Sequence, residues 1–259
     1  MNNIFPFKDF STLSPTIISL QSTTSTNDVI HTHYSEFPFV CVRAFQQTKG
    51  RGRYGKHWQS DTSDNVCCSI GMEYKQPLAL QHGALLQMIG TIAVLQTLLL
   101  VEPQLYYKIK YPNDVYIKTN QNIFKKVSGV LLECDVQNNV ITKSVLGIGI
   151  NCNVQSFPTD LQSKATSLFQ LTGKHYNPAE LMQTLVNKIQ ELFALSESEI
   201  IKQWQMLLDV ENKTFTILGN SDEWKFYGFT PEGLLKVQHI QTHQLRTIHD
   251  GDSIIYNLE

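Results

Sequence analysis

Residues 47–58 read Gln-Thr-Lys-Gly-Arg-Gly-Arg-Tyr-Gly-Lys-His-Trp, and this alternation of glycines and cations marks a loop that neither a helix nor a strand interior would hold well. Gly50, Gly52 and Gly55 let the backbone take positive φ and let a ligand approach the main chain closely. Arg51 and Arg53 offer rigid donor forks suited to phosphate or carboxylate oxygens. Two readings fit the segment equally: a mobile loop that closes over an anion, or an arginine-glycine stretch that touches nucleic acid or solvent.

The rest of the chain bears on that choice. Its 259 residues carry 21 Lys and Arg against 23 Asp and Glu, so no global basic field draws in nucleic acid and the loop is a local device. Five cysteines (Cys41, Cys67, Cys68, Cys134 and Cys152) form no C-x-x-C pair, which argues against a disulfide framework or zinc ribbon and for a reducing compartment. Cys67 and Cys68, adjacent in a strand-like run, are expected to face opposite sides. The histidines are read as surface or packing residues. The first ten residues do not read as a signal peptide. Ile89 to Val101 is apolar but shorter than the about 20 residues of a spanning helix, so it reads as a buried core helix.

Periodicity predicts a strand at Ile17–Leu20, a helix at Val29–Tyr34 after the cap-rich Thr23–Asp28, and strands at Phe39–Phe45 and Asn65–Tyr74. A long helix is expected over Leu78–Val101. Strands at Leu105–Lys110 and Val115–Lys118 flank the turn Pro112-Asn113-Asp114. Lys125–Cys134 and Val140–Ile148 form a hairpin across residues 137–139. Asn177-Pro178-Ala179-Glu180 starts a helix, and a second covers Ser198–Leu208. From Asn212 only short strands appear, separated by turns at residues 219–222, 231–233 and 250–251, which suits a small barrel. The expectation is therefore a mixed α/β unit over 1–210 and a small β unit over 211–259.

Four further segments carry chemistry, each with a plain alternative. Ser25-Thr26-Asn27 puts short polar groups at a helix start, as an anion site or a simple cap. Lys110-Tyr111-Pro112-Asn113-Asp114 places a cation and a carboxylate around a turn that is otherwise a surface turn. In Lys126-Val-Ser-Gly129-Val-Leu-Leu-Glu133 a lysine opens an apolar strand and Gly129 leaves room for an approaching group. Gly147-Ile-Gly149-Ile-Asn151-Cys-Asn153 spends glycines in a buried strand, for a ligand or for tight strand packing.

Together these segments resemble the biotin protein ligases, whose marks are a Ser-Thr-Asn, a G-R-G-R-x-G-x-x-W loop, a K-W-P-N-D turn, a K-x-x-G-[IV]-L-x-E strand and a G-[IL]-G-x-N-x-N strand. All occur here in family order, at Ser25, Gly50, Lys110, Lys126 and Gly147. The resemblance is strong over residues 20–155 and looser beyond. Tyr111 stands where tryptophan is usual, which adds a hydroxyl that needs a partner. Lys56 stands where arginine is common, which keeps charge and loses the fork.

The resemblance implies an α+β fold: a mixed-sheet biotin/lipoate-ligase-like catalytic domain with a small C-terminal SH3-like β-barrel domain. It implies an ATP- and Mg²⁺-dependent enzyme that makes biotinyl-5′-AMP and passes biotin to a lysine of a biotin carboxyl carrier domain, as in acetyl-CoA carboxylase. On that basis Arg51, Arg53 and Lys126 neutralise phosphate and carboxylate oxygens, and Asp114 orients the incoming amine. Ser25, Thr26, Asn27 and Gln47 hydrogen-bond the ureido ring. Gly50, Gly52, Gly129, Gly147, Gly149, Asn113, Asn151 and Trp58 complete the ligand site. No dedicated metal ligands are expected.

The short stretch before Ile17 leaves no space for the DNA-binding helix-turn-helix of some members, so a monofunctional, cytoplasmic enzyme is expected, with neither DNA nor membrane as partner. A homodimer stays open. The rival activities are a lipoate or octanoate ligase of the same fold, a nucleic-acid-binding module, and an inactive carrier-binding protein.

Overall fold

The computed structural model describes residues 7–34, 36–59, 65–219, 221–249, 251, 253–256 and 258. The expectations for the first six residues, and Asn220 and Asp250 of the two predicted turns, lie outside the described residues. The strands are β1 (Thr16–Thr23), β2 (Phe39–Gln47), β3 (Val66–Ala79), β4 (Tyr107–Lys110), β5 (Asp114–Lys118), β6 (Phe124–Gln137), β7 (Val140–Ile150), β8 (Thr214–Ile217), β9 (Glu223–Phe229), β10 (Leu235–His239), β11 (Leu245–Ile248) and β12 (Ile254–Ile255). The helices are α1 (Thr26–His33), α2 (His82–Val101), α3 (Leu168–Thr172), α4 (Pro178–Phe193) and α5 (Glu197–Leu207).

Seven strands form one sheet in the order β1-β2-β3-β7-β6-β5-β4. Only β1 and β2 run parallel, joined through α1; the other neighbours are antiparallel. The predicted β6–β7 hairpin turns on Asn138 and Asn139, at φ 47° and 64°. A two-residue turn of that kind needs positive φ twice, and asparagine tolerates it better than most residues. The predicted helix starts also hold. Asn177 Oδ1 accepts from Ala179 N with Pro178 in the first position, and Ser196 forms a capping box with Glu199.

The two faces of the sheet differ. Ile70, Met72, Val130, Leu146, Ile148 and Ile150 join α2, α4 and α5 in the main apolar core. Val40, Val42 and Val145 face the other way and pack with Ile30 and Tyr34 of α1 in a smaller cluster. Cys68 belongs to the main core, whereas Cys67 is directly opposite Gly149, so the adjacent cysteines do face opposite sides.

Several boundaries differ from expectation, and two of them matter here. β3 runs on to Ala79, because Leu78 and Ala79 pair with Ile141 and Val140 after a bulge that absorbs Pro77. α2 therefore starts at His82 rather than Leu78. It is a 20-residue helix, long and apolar enough by length and composition to cross a membrane although the apolar stretch Ile89–Val101 is shorter, and it is mostly buried, as expected of a core helix. Here it lies against β6, β7, α4 and α5. The second difference is at α1. Its first turn contains Thr26 and Asn27, and Ser25 makes no capping hydrogen bond.

The remaining strands form a second, antiparallel sheet in the order β11-β10-β9-β8-β12, consistent with an SH3-like unit. Phe215, Trp224, Leu235, Val237 and Ile254 fill it, and its apolar interior is continuous with the main core. Lys108 Nζ holds Asp209 at 2.9 Å, and Leu208 bridges to Ile109, which ties the connecting segment to β4.

Beyond β7 the chain is anchored through Glu102, which is only 2% exposed. Its carboxylate accepts from Tyr176 Oη at 2.7 Å and from Lys174 Nζ at 2.9 Å, and also from Gln104. Tyr176 in turn exchanges two hydrogen bonds with Asn153. Burial alone would raise the Glu102 pKa, but the bonds from Tyr176, Lys174 and Gln104 outweigh it and hold the pKa below its ordinary 4.5. A depressed carboxylate stabilises the fold above the unfolded pKa and loses that contribution as pH falls through the folded value. Thermal melts of wild type and Glu102→Gln should therefore differ by a constant amount at neutral pH. The gap should close progressively as pH drops below 4.5; a gap independent of pH would refute the assignment.

Candidate active site

A cleft of about 510 Å³ opens on the α1 side of the large sheet. That volume falls in the range of small-molecule sites. Ser25, Thr26, Asn27, Gln47, Arg51, Gly52, Arg53, Trp58, Asn113, Asp114, Lys126, Gly129, Gly147, Gly149 and Asn151 all line it. Gly50 alone among the predicted site residues does not; its carbonyl accepts from Trp58 N at 2.9 Å and shapes the loop instead.

Strand register explains the floor. Asp114, Gly129, Gly149 and Cys67 lie in one row across β5, β6, β7 and β3, while Leu131, Gly147 and Ser69 make the next row. A Cβ on Gly147 would fall 2.5 Å from Asn27 Oδ1, and one on Gly149 would fall 2.2 Å from the Trp58 ring. The predicted tight approach is thus to α1 and to the glycine-arginine loop, whose side chains seat on bare backbone. The Trp58 indole nitrogen is shielded from solvent and has no hydrogen-bond partner.

The loop itself folds as a short hairpin. Arg51 bridges His57, Gly52 N donates to Lys56 O at 2.7 Å, and the chain reverses through Tyr54 at φ 54° and Gly55 at φ 71°. This hairpin aims its two arginines apart. Arg53 donates to Asn113 Oδ1 at 3.1 Å, across the cleft. Arg51 pairs with Asp28 and, at 3.2 Å, with Glu133. Partial burial opposes the Arg51 charge, but the Asp28 and Glu133 carboxylates outweigh it and the guanidinium pKa is raised.

One end of the cleft is lined by neutral hydrogen-bonding groups. Thr26 N donates to Gln47 Oε1 at 2.8 Å, Thr26 Oγ1 meets Ser69 Oγ at 2.6 Å, and Asn27 Nδ2 donates to Glu133 at 2.6 Å. The other end is basic. Lys126 Nζ lies 2.7 Å from Asp114 and 5.7 Å from the centre of the Trp58 ring. Lys56, Lys110 and Lys164 add cations, and Asp114 is the one carboxylate among the described lining residues.

Several lining residues escaped the sequence reading. Phe157, Leu161, Lys164 and Ala165 arrive on a segment held along the start of β6, where Lys126 N donates to Lys164 O at 2.8 Å. No local pattern marks that segment. Gly251 reaches the cleft from the small sheet. A Cβ there would sit 2.1 Å from Tyr111 O. Tyr111 is bound to the same sheet twice: its N–H donates to Tyr256 Oη at 2.9 Å, and its hydroxyl donates to Ile248 O at 2.7 Å. The hydroxyl that distinguishes tyrosine from tryptophan at this position therefore has its partner. Ser69 and Glu133, which hold Asn27, were visible only as members of strands.

Two substitutions test this geometry. Gly149→Ala should displace the Trp58 ring, costing about 1–3 kcal/mol of stability and at least about tenfold in affinity for any ligand of the cleft. Calorimetry and tryptophan fluorescence would show it; unchanged fluorescence would contradict the contact. Tyr111→Phe leaves the buried Ile248 carbonyl without its hydroxyl donor and should cost about 1–3 kcal/mol in denaturant unfolding.

The chain is similar to known proteins. Over 147 residues the chain is 33% identical to the bifunctional ligase/repressor BirA of Bacillus spizizenii, covering 56% of this chain and 43% of that protein. It is 28% identical over 134 residues to the biotin–[acetyl-CoA-carboxylase] ligase of Mycobacterium tuberculosis, covering 51% of this chain and 46% of that one. The chain thus spans less than half the length of either relative. The structure of the Aquifex aeolicus biotin protein ligase in complex with biotin and ATP superposes with a TM-score of 0.74 at 25% identity, covering 94% of this chain and 99% of that one. The model of the biotin/lipoate A/B protein ligase family matches residues 17–151, just over half of the chain and the part that supplies the sheet floor, the loop and the turn, and the chain belongs to that family.

Proposed function

We propose that this protein activates biotin with ATP as biotinyl-5′-AMP and transfers it to a lysine of a biotin carboxyl carrier domain. The observation that carries this reading is the make-up of one cleft: its described lining residues hold six cations against a single carboxylate, beside a cluster of neutral hydrogen-bonding groups. Two anions, a carboxylate and a triphosphate, must meet in the first step, and their repulsion needs fixed positive charge. A uncharged ureido ring needs neutral groups at set positions.

In the first step a biotin carboxylate oxygen bonds the α-phosphorus, the bond to the bridging oxygen breaks, and pyrophosphate leaves with the electron pair. Arg51, Arg53 and Lys126 offset the charge that gathers on the oxygens. Ser25, Thr26, Asn27 and Gln47 hold the ureido end. In the second step the carrier amine attacks the acyl carbon, the acyl–phosphate bond breaks and AMP leaves. Asp114, 2.7 Å from Lys126, orients that amine and takes up its proton. Among the described residues no group of three His, Cys, Asp or Glu side chains could hold a metal. Mg²⁺ would instead arrive with the triphosphate. When bound, the ion neutralises phosphate charge.

On this reading residues 1–210 are the catalytic unit and 211–259 a small unit that braces the Tyr111 turn. The Gly50–Trp58 hairpin covers the mixed anhydride and excludes water.

Mass spectrometry of a carrier domain after incubation with this protein, biotin, ATP and Mg²⁺ tests the reading. One biotin added to one lysine, only with ATP, is the expected result; labelling with lipoate in place of biotin would move the protein to the other branch of its family. Arg53→Gly removes the contact with Asn113 that spans the cleft. That variant should release the adenylate and label bystander amines. Strict retention of carrier specificity would refute a covering role for the hairpin.

A further inference from the structure

Glu133 touches the site from both sides, yet neither charge neutralisation nor ligand contact accounts for it. Its carboxylate accepts from Asn27 Nδ2 at 2.6 Å and from Arg51 Nη2 at 3.2 Å. A carboxylate only accepts, so the nitrogen of the Asn27 amide must point toward it and Oδ1 must point away. Oδ1 then meets Ser69 Oγ at 2.5 Å, a contact that requires the Ser69 proton. With that proton committed, the 2.6 Å contact between Thr26 Oγ1 and Ser69 Oγ takes the proton of Thr26. Thr26 Oγ1 also lies 3.1 Å from Gln47 Oε1, but Ser69 is nearer and takes the proton, while Gln47 Oε1 still accepts from the Thr26 N–H at 2.8 Å.

The direction of every bond in this row therefore follows from one charge at its end. Thr26 donates to Ser69, Ser69 donates to Asn27, and Asn27 donates to Glu133. Thr26, Ser69 and Asn27 are buried, at 3%, 0% and 4% exposure, so water does not substitute for a missing partner. The Gly147 backbone, close against the Asn27 amide, leaves it no room to swing aside.

We propose that Glu133 is a positioning residue: by dictating which way the Asn27 amide faces, it sets the pattern of donors and acceptors that the neutral end of the cleft presents to its ligand. Where that ligand is a ureido ring, as the proposed function has it, the pattern distinguishes the carbonyl oxygen from the two N–H groups. A glutamine in place of Glu133 both donates and accepts, so the row could run in either direction, and the reversed direction would oppose the ligand. Arg51 keeps Asp28 in such a variant, which leaves the loop hairpin attached.

The test has an arm that needs no ligand. In the full chain labelled with ¹⁵N-asparagine, the Asn27 side-chain amide protons should be widely separated and exchange slowly. In Glu133→Gln the separation should collapse, while Glu133→Asp keeps more of it. The same Asn27 signals in wild type and Glu133→Gln would overturn the proposal. In the second arm, steady-state assays of Glu133→Gln should show the biotin KM raised about tenfold, with the ATP KM unchanged and the melting temperature preserved. Equal losses toward both substrates would mean a merely structural role and would also overturn it. If wild type binds no biotin at all, the proposed function fails, and the amide signals alone decide the role of Glu133.

Discussion

The site rests on bare backbone in the middle of the sheet. β7 is paired on both sides, by β3 and β6, so its two glycines cannot be relieved by local bending. Gly147 receives Asn27 and Gly149 receives Trp58. Gly71 on the neighbouring strand does the same for α1, since a Cβ there would come 2.4 Å from Ile30. The opposite face of the same strands carries Leu146, Ile148 and Ile150 in the main core. Each strand thus anchors the fold through one set of residues and makes space through the alternate set. A strand interior with glycine is weaker than one without. Here the extensive apolar packing on the far face offsets that cost.

Charge is arranged with similar economy. The chain as a whole is slightly acidic, at −2, yet its cleft gathers six cations around one carboxylate. The carboxylates that accompany Arg51 are Asp28 and Glu133, and the Arg51 side chain is 40% exposed. Ion pairs this open contribute about 0.2–1 kcal/mol, less than a charge-assisted bond to a phosphate inside a cleft. The loop can exchange one set of partners for another without much loss. Lys126 and Asp114 are more enclosed, at 30% and 21% exposure, and form a steadier pair.

Much of this was legible in the residues. The Asn138-Asn139 turn, the Pro178 helix start and the glycine pair of β7 each have a local mechanism that a reader of sequence can name. The ordered motifs located the cleft, and fifteen of the sixteen site residues named at that stage line it. Other features depend on register or on distance along the chain. That Ser69 stands beside Gly147 follows only once β3 is paired with β7. The extension of β3 through Pro77 was hidden because proline argues against a strand, and a bulge removes the objection. The contribution of the small sheet had no sequence signature at all. Tyr111 did carry one in the hydroxyl that lacked an evident partner, but not the direction in which to look for it.

The junction between Gly251 and the Tyr111 turn has a consequence for how the molecule is made. A chain is synthesised from its N-terminus, so Ser25, the loop and the strand floor exist well before Gly251, Ile248 and Tyr256 are added. Until they arrive, the Tyr111 N–H and hydroxyl lack their acceptors, and the cleft lacks the wall that Gly251 supplies. The pocket is thus finished by residues joined long after its floor, and a partly made chain holds its cations without the enclosure that would let them act together.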